Sequence, residues 1–173
     1  MNKYQQNIKL LEGYYIRNQK PKLDSSEYIK NLENEIGNDL PANYLDFLLN
    51  YGGFAFTDVV YPLLESNEVD DEQVLSVCFG MLPGDSYDLI RNYHTFKDRI
   101  PPNFLPIACD RMGNLVCLSI NGEDREYIYF WQHDAEEIVD DSEKIGYPED
   151  VYLVAQSFDE FISSLEKLED DDE

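Results

Sequence analysis

Apolar residues recur at three- and four-residue intervals near both ends of the chain and alternate in short runs between them. That pattern predicts helices flanking a sheet. Tyr4, Ile8, Leu11 and Tyr15 predict an amphipathic helix over residues 3–17, which "NQKPKLD" breaks. Asp24 with Glu27 fits a capping box with Asp as the cap. Ile29, Leu32 and Ile36 form the stripe of that second helix, and Gly37 is placed for the left-handed residue that ends it. Pro41 suits the first turn of a third helix. Its stripe is Tyr44, Phe47, Leu48 and Tyr51, and Gly52-Gly53 stops it.

Short strands are expected at 54–56, 59–63 and 74–79. "GDSYDLIRNYHTFKDRIPP" reads as a helix capped by Asp85, with Leu89, Ile90, Tyr93 and Phe96 inward. Next come "FLPIAC", "LVCLSI" and "EYIYFWQH", separated by "DRMGN" and "NGEDR"; Asn-Gly is a strong turn signal, so these form an antiparallel meander. In the last of them Tyr127, Tyr129, Trp131 and His133 share one face, and Ile128, Phe130 and Gln132 the other. "VYLVA" predicts a last short strand. Ser157 with Glu160 forms a second capping box, opening a helix with Phe158, Phe161, Ile162, Leu165 and Leu168 on one side. These elements predict one α+β domain over residues 1–168, with 3–17 as an extension and 169–173 as an acidic tail.

Charge changes the picture most. The chain has 36 acids against 13 Lys+Arg, a net charge of -23. Residues 166–173 hold six of the acids and one lysine, so the imbalance is not confined to the tail. A field of this sign repels nucleic acid and anionic membranes and attracts basic proteins. Tyrosine is abundant, with 13 copies, and suits half-buried surfaces and interfaces. The opening residues carry no long apolar run, so neither a signal peptide nor a spanning helix is expected. Cys78, Cys109 and Cys117 form no C-x-x-C and read as reduced thiols in a cytoplasmic protein.

The candidate chemistry is weak. "YIYFWQHD" sets indole, imidazole and carboxylate side by side, but strand alternation points His133 and Asp134 apart unless the strand has already turned. His94 and His133 are 39 residues apart and no cysteine pair has ligand spacing, so no metal is expected. "GDSYD" resembles the nucleophile block of GDS-type esterases, but no Asp stands three residues before either histidine, so Asp85-Ser86 reads as a helix cap. "DRMGN" lacks the alternating acids of a calcium loop and reads as a turn. Phosphate cradles and basic patches with interleaved aromatics are absent. No catalytic residue and no cofactor are expected.

Three blocks together resemble the SMI1/KNR4 family, also called the SUKH superfamily. In "YIKNLENEIGNDLPANYLDFLLNYGGF" the matching residues are Glu33, Ile36, Gly37, Leu40, Pro41, Tyr44, Phe47, Leu48, Asn50, Gly52 and Gly53. In "FLPIACDRMGNLVCLSINGEDREYIYFWQHD" they are Leu105, Pro106, Ile107, Ala108, Asp110, Gly113, Asn114, Tyr129, Phe130, Trp131, His133 and Asp134. "VYLVAQSFDEFISSL" is similar to the family's closing block. Arg111-Met112 departs from the pattern, which is often Gly-rich there. The resemblance implies a curved antiparallel sheet of about six strands with packed N- and C-terminal helices. Leu40, Pro41, Gly52, Gly53, Asp110, Gly113 and Trp131 look like fold determinants.

Bacterial relatives act mainly as immunity proteins that bind and neutralise a cognate toxin, often a nuclease. The resemblance therefore implies a non-enzymatic antitoxin whose partner is a basic, nuclease-like protein. Surface candidates for that contact are Glu65, Glu68, Asp70, Asp71 and Glu72, and Asp134, Glu136, Glu137, Asp140 and Asp141. The competing reading of each is a solvated loop. The alternative function is a protein-binding regulatory or scaffold module of the same family. His133 and Asp134 either finish their strand or border the partner surface.

Overall fold

The computed structural model describes residues 2–18, 25–64, 72–133 and 150–169. The first helix is shorter than its stripe. α1 spans Gln5–Leu10, and Tyr14–Tyr15 forms β1, not a continuation of the helix. Two features end it. Glu12 takes a positive φ of 56°, and a side chain on Gly13 would overlap the Phe54 ring. Tyr15 then packs edge-on against Phe54, with ring centroids 4.9 Å apart, and donates its hydroxyl to the Asn50 carbonyl at 2.9 Å. Sheet contacts here override the helical spacing.

α2 (Ser26–Ile36) starts after Ser25 at the N-cap, one residue later than the expected cap; Asp24 lies outside the described residues. Gly37 ends it in the left-handed conformation, φ 71°. Glu33 reaches past that corner, and its Oε2 accepts the Leu40 N–H at 2.7 Å. Pro41 stands at the N-cap of α3 (Ala42–Tyr51), where its missing N–H costs nothing.

The sheet is antiparallel and curls into a half-barrel. β2 (Phe54–Pro62), β3 (Glu72–Cys78), β4 (Phe104–Cys109), β5 (Leu115–Ser119), β6 (Ile128–Trp131) and β7 (Val151–Ala155) follow β1 in sequence order. An eighth strand, β8 (Glu166–Lys167), pairs with β2. The two strands expected over 54–63 are one strand with a bulge. Its register shifts between Ala55 and Val59, and Asp58 has a positive φ of 56°. The bulge's carbonyls are not wasted: Thr57 accepts from the Lys167 ammonium at 2.7 Å and Asp58 from the Leu168 N–H at 2.8 Å. Just past β2, the Leu64 N–H donates to the Leu153 carbonyl at 2.8 Å, so the curl brings the end of β2 against β7.

α4 (Leu89–Phe96) packs on β4. Its cap is Asp88, not Asp85: Asp88 Oδ2 accepts the Arg91 N–H at 3.0 Å. Asp85 instead closes the preceding turn through the Tyr87 N–H and holds Arg17 at 3.0 Å. These two contacts, the Tyr87 N–H first, lower the Asp85 pKa. Only Leu89 of the expected inward stripe is fully buried; Ile90, Tyr93 and Phe96 are half-buried against the core.

α5 (Phe158–Ser164) has the expected box, with Glu160 N–H donating to Ser157 Oγ at 3.1 Å and Glu160 Oε2 accepting the Gln156 N–H at 3.0 Å. The helix ends before Leu165, so Leu168 lies beyond β8 and is largely exposed. Phe158 contacts Tyr44 and Phe47 of α3, at centroid distances of 5.4 and 5.1 Å. Phe161 meets Tyr61 of β2 at 5.4 Å.

The Tyr44 hydroxyl is buried without a hydrogen-bond partner among the described residues, and burial drives its pKa well up. An orphaned buried hydroxyl carries its full desolvation cost. Tyr44→Phe is therefore expected to keep or raise stability, by up to about 1 kcal/mol, measured as the urea midpoint at unchanged slope. A fall in the midpoint would contradict this.

Candidate partner-binding surface

Nine of the ten acidic candidates lie outside the described residues: Glu65, Glu68, Asp70, Asp71, Asp134, Glu136, Glu137, Asp140 and Asp141. Glu72 is described. It opens β3 opposite Pro62 and is exposed. The meander fixes where the chain enters and leaves the undescribed stretches. Connections β2–β3, β4–β5 and β6–β7 all leave from the same end of an antiparallel sheet, because Val77 pairs with Cys109, Leu115 with Trp131, and Trp131 with Val151.

That end is built on the turn "DRMGN". Asp110 Oδ1 accepts the N–H of Met112 at 2.8 Å and of Asn114 at 3.0 Å, and Oδ2 accepts the Asn114 side-chain amide at 2.9 Å. Gly113 has φ 89°, where a side chain would be strained, and its Cβ position lies 3.1 Å from the His133 ring, so a side chain there would also press on the imidazole. Asn114 Oδ1 in turn accepts the His133 N–H at 3.1 Å. The His133 Nε2–H donates to the Met112 carbonyl; a carbonyl only accepts, so the proton sits on Nε2. Of the three groups that suggested a catalytic corner, His133 is thus part of a clasp between the β4–β5 turn and the end of β6, and Asp134 lies outside the described residues.

Trp131, 1% exposed, is held beside it. Its Nε1–H donates to Asp150 Oδ2 at 2.9 Å, and Asp150 O accepts the Gln132 N–H at 3.0 Å. Phe96 packs edge-on at 5.9 Å, and the Arg99 guanidinium lies 5.2 Å from the indole centroid. All four residues of β6 are buried, so both faces of the strand are covered. Trp131 and His133 contact each other, with centroids 6.5 Å apart, as expected for neighbours on one face.

The rest of the chemistry is structural. Asp88, 5% exposed, also accepts the Tyr28 hydroxyl at 2.6 Å and the Leu82 N–H at 3.0 Å, tying α2 to α4. His94 meets Glu35 at 2.7 Å, a second tie between those helices. Burial, then the Asp110 charge, pushes the Cys109 thiol up to about 12, and burial raises Cys78 and Cys117 as well. Such thiols are not nucleophiles at neutral pH. Among the described residues no group of three or more His, Cys, Asp or Glu could hold a metal ion, and no helix is long and apolar enough to cross a membrane.

A structural clasp makes a prediction that a catalytic corner would not. Asp110→Ala strips the side-chain acceptor from three donors and is expected to cost about 1–3 kcal/mol, read as a lower melting temperature. An unchanged melting temperature would return these residues to candidate chemistry.

Three large apolar side chains at this end are exposed: Met112 (70%), Leu64 (57%) and Val74 (47%). The sequence carried one signal for them, an apolar Met inside the polar turn "DRMGN".

A family model described as SMI1 / KNR4 family (SUKH-1) matches residues 25–164. Over 170 residues the chain is 36% identical to the "SPbeta prophage-derived uncharacterized protein YokK" of Bacillus subtilis (strain 168), an alignment that takes in 88% of this chain and 81% of that protein.

Proposed function

Because the chain belongs to the SMI1/KNR4 family (SUKH-1), we propose that it is a non-enzymatic immunity protein that binds and neutralises a protein toxin in the cytoplasm. The observation that carries this reading is the net charge of -23, most of it outside the tail. A nuclease must hold phosphate, so its cleft is basic. An acidic inhibitor that fills or flanks such a cleft is drawn to it by the field and excludes the substrate. Affinity then comes from a few buried anchors, with carboxylates around them giving rate and specificity.

The test pairs this chain with the toxin frame encoded beside it. Co-expression is expected to rescue growth, and the purified proteins are expected to form a stable complex. Stopped-flow association should slow about ten-fold or more between low and high salt, as steering is screened. Absence of both rescue and complex would defeat the proposal, and capture of several housekeeping proteins instead would favour the scaffold reading.

A further inference from the structure

We propose that the Asn121-Gly122 peptide is a self-modifying site, which converts Asn121 to isoaspartate in water and so loosens the β5–β6 connection from the α2–α3 loop.

Asn-Gly occurs once in the chain. In a tight hairpin of the kind this pair favours, both residues take a positive φ and the strands pair directly on either side. Here only Gly122 does, at 87°, and the connection between β5 and β6 runs over residues 120–127. Asn121 and Gly122 are both exposed. Among the described residues, neither the Asn121 side-chain amide nor the Gly122 N–H is held by a hydrogen bond. Gly122 also has no side chain to hinder an approach of its nitrogen to Asn121 Cγ.

The chemistry needs only water. The Gly122 nitrogen loses its proton and attacks Asn121 Cγ. The N–Cγ bond forms, the Cγ–Nδ2 bond breaks, and ammonia leaves with that proton. Water then opens the cyclic imide. Attack at Cγ gives aspartate. Attack at the former backbone carbonyl carbon gives isoaspartate, whose main chain runs through Cβ and Cγ.

The surroundings decide what the change does. The Ser119 hydroxyl, on a fully buried residue, lies 3.2 Å from the Asn121 carbonyl and 3.0 Å from Asp124 Oδ1. In isoaspartate that carbonyl becomes a carboxylate. Two carboxylates then compete for one hydroxyl proton and repel each other. Asp124 Oδ2 meanwhile accepts the Tyr129 hydroxyl at 2.7 Å, so the disturbance reaches β6. Arg125 donates to the Ile120 carbonyl at 2.6 Å and to the Asp39 carbonyl at 3.1 Å. The lengthened residue falls inside that Ile120–Arg125 link, which ties the connection to the loop between α2 and α3.

The experiment ages the purified wild type and Asn121→Gln in buffer at neutral and mildly alkaline pH, and follows both by peptide mass mapping and isoaspartate labelling. Asn121 is expected to gain about 1 Da, the exchange of an NH2 for an OH. Conversion should be faster at alkaline pH, and well ahead of the exposed Asn31 and Asn34, whose following N–H groups lie inside α2. Aged wild type should melt about 2–4 °C lower than fresh protein, while Asn121→Gln keeps its melting temperature through ageing. Conversion of Asn121 no faster than that of Asn31 and Asn34 overturns the site. Full conversion with an unchanged melting temperature, or an equal fall in aged Asn121→Gln, overturns the loosening.

Discussion

Gly80→Ala is expected to lose about 4 kcal/mol or more, seen as a melting temperature lower by roughly 10 °C or more. The reason is backbone against backbone. A Cβ on Gly80 would overlap the main-chain atoms of Gly52 and Gly53, where the end of α3 crosses the chain just beyond β3. Neither side can yield. Gly53 donates to the Cys78 carbonyl at 3.1 Å, and its own carbonyl takes the Ile16 N–H at 2.8 Å. Gly80 accepts from Leu89 at 2.9 Å and donates to Tyr87 at 3.2 Å. Separating the strands to admit a methyl would break several of these bonds at once. Gly84→Ala is the comparison. It has a positive φ of 88° but nothing within 4 Å of its Cβ position, so it carries only the backbone strain, about 1 kcal/mol. Equal losses at the two positions would show that the crossing is looser than described.

Trp131→Ala is expected to cost about 3–5 kcal/mol, the range for deleting a buried tryptophan. The indole fills the space between β6, Phe96 and Arg99, and it holds Asp150. Trp131→Phe separates those roles. It keeps most of the apolar contact but leaves the Asp150 carboxylate without its donor, so about 1–3 kcal/mol should be lost. Chemical denaturation of the three forms measures both. A Phe variant as stable as wild type would show that the Asp150 bond contributes nothing. An Ala variant within 1 kcal/mol of wild type would show that the indole is not part of the core.

Periodicity was legible wherever packing and local preference agree. The stripe Ile29, Leu32 and Ile36 with Gly37 gave a helix and its stop, and the turn signals between the apolar runs of β4, β5 and β6 gave the meander. It misled where long-range pairing competes with local spacing. Tyr15 sits at helical distance from Leu11, yet its ring finds Phe54 and its backbone joins β2. Asp85 and Asp88 are both plausible caps three residues apart, and only tertiary contacts with Tyr28, Leu82 and Arg17 decide between them. β8 is two residues long and has no pattern of its own. Gly80 carries no sequence mark at all, since its role depends on glycines 27 and 28 residues away.

The candidate surface divides in the same way. Glu72 and the acidic stretches could be named from composition, because charge density needs no fold to be seen. That Met112 stands clear of the core could not, because it depends on Asp110 and His133 closing the same turn from opposite sides. Family-matched residues such as Asp110, Gly113 and Asn114 are spent on holding that turn.

β1 and β8 share the outer side of β2, over Tyr14–Tyr15 and Glu166–Lys167, and Leu64 reaches β7 on the far side. The chain thereby occupies hydrogen-bonding positions that would otherwise invite a foreign strand. Sheet-to-sheet polymerisation is thereby obstructed at those positions. A ligand that inserts a strand at either flank must first peel away a piece of this chain, and hydrogen exchange at residues 14–15 or 166–167 would report that exchange of partners.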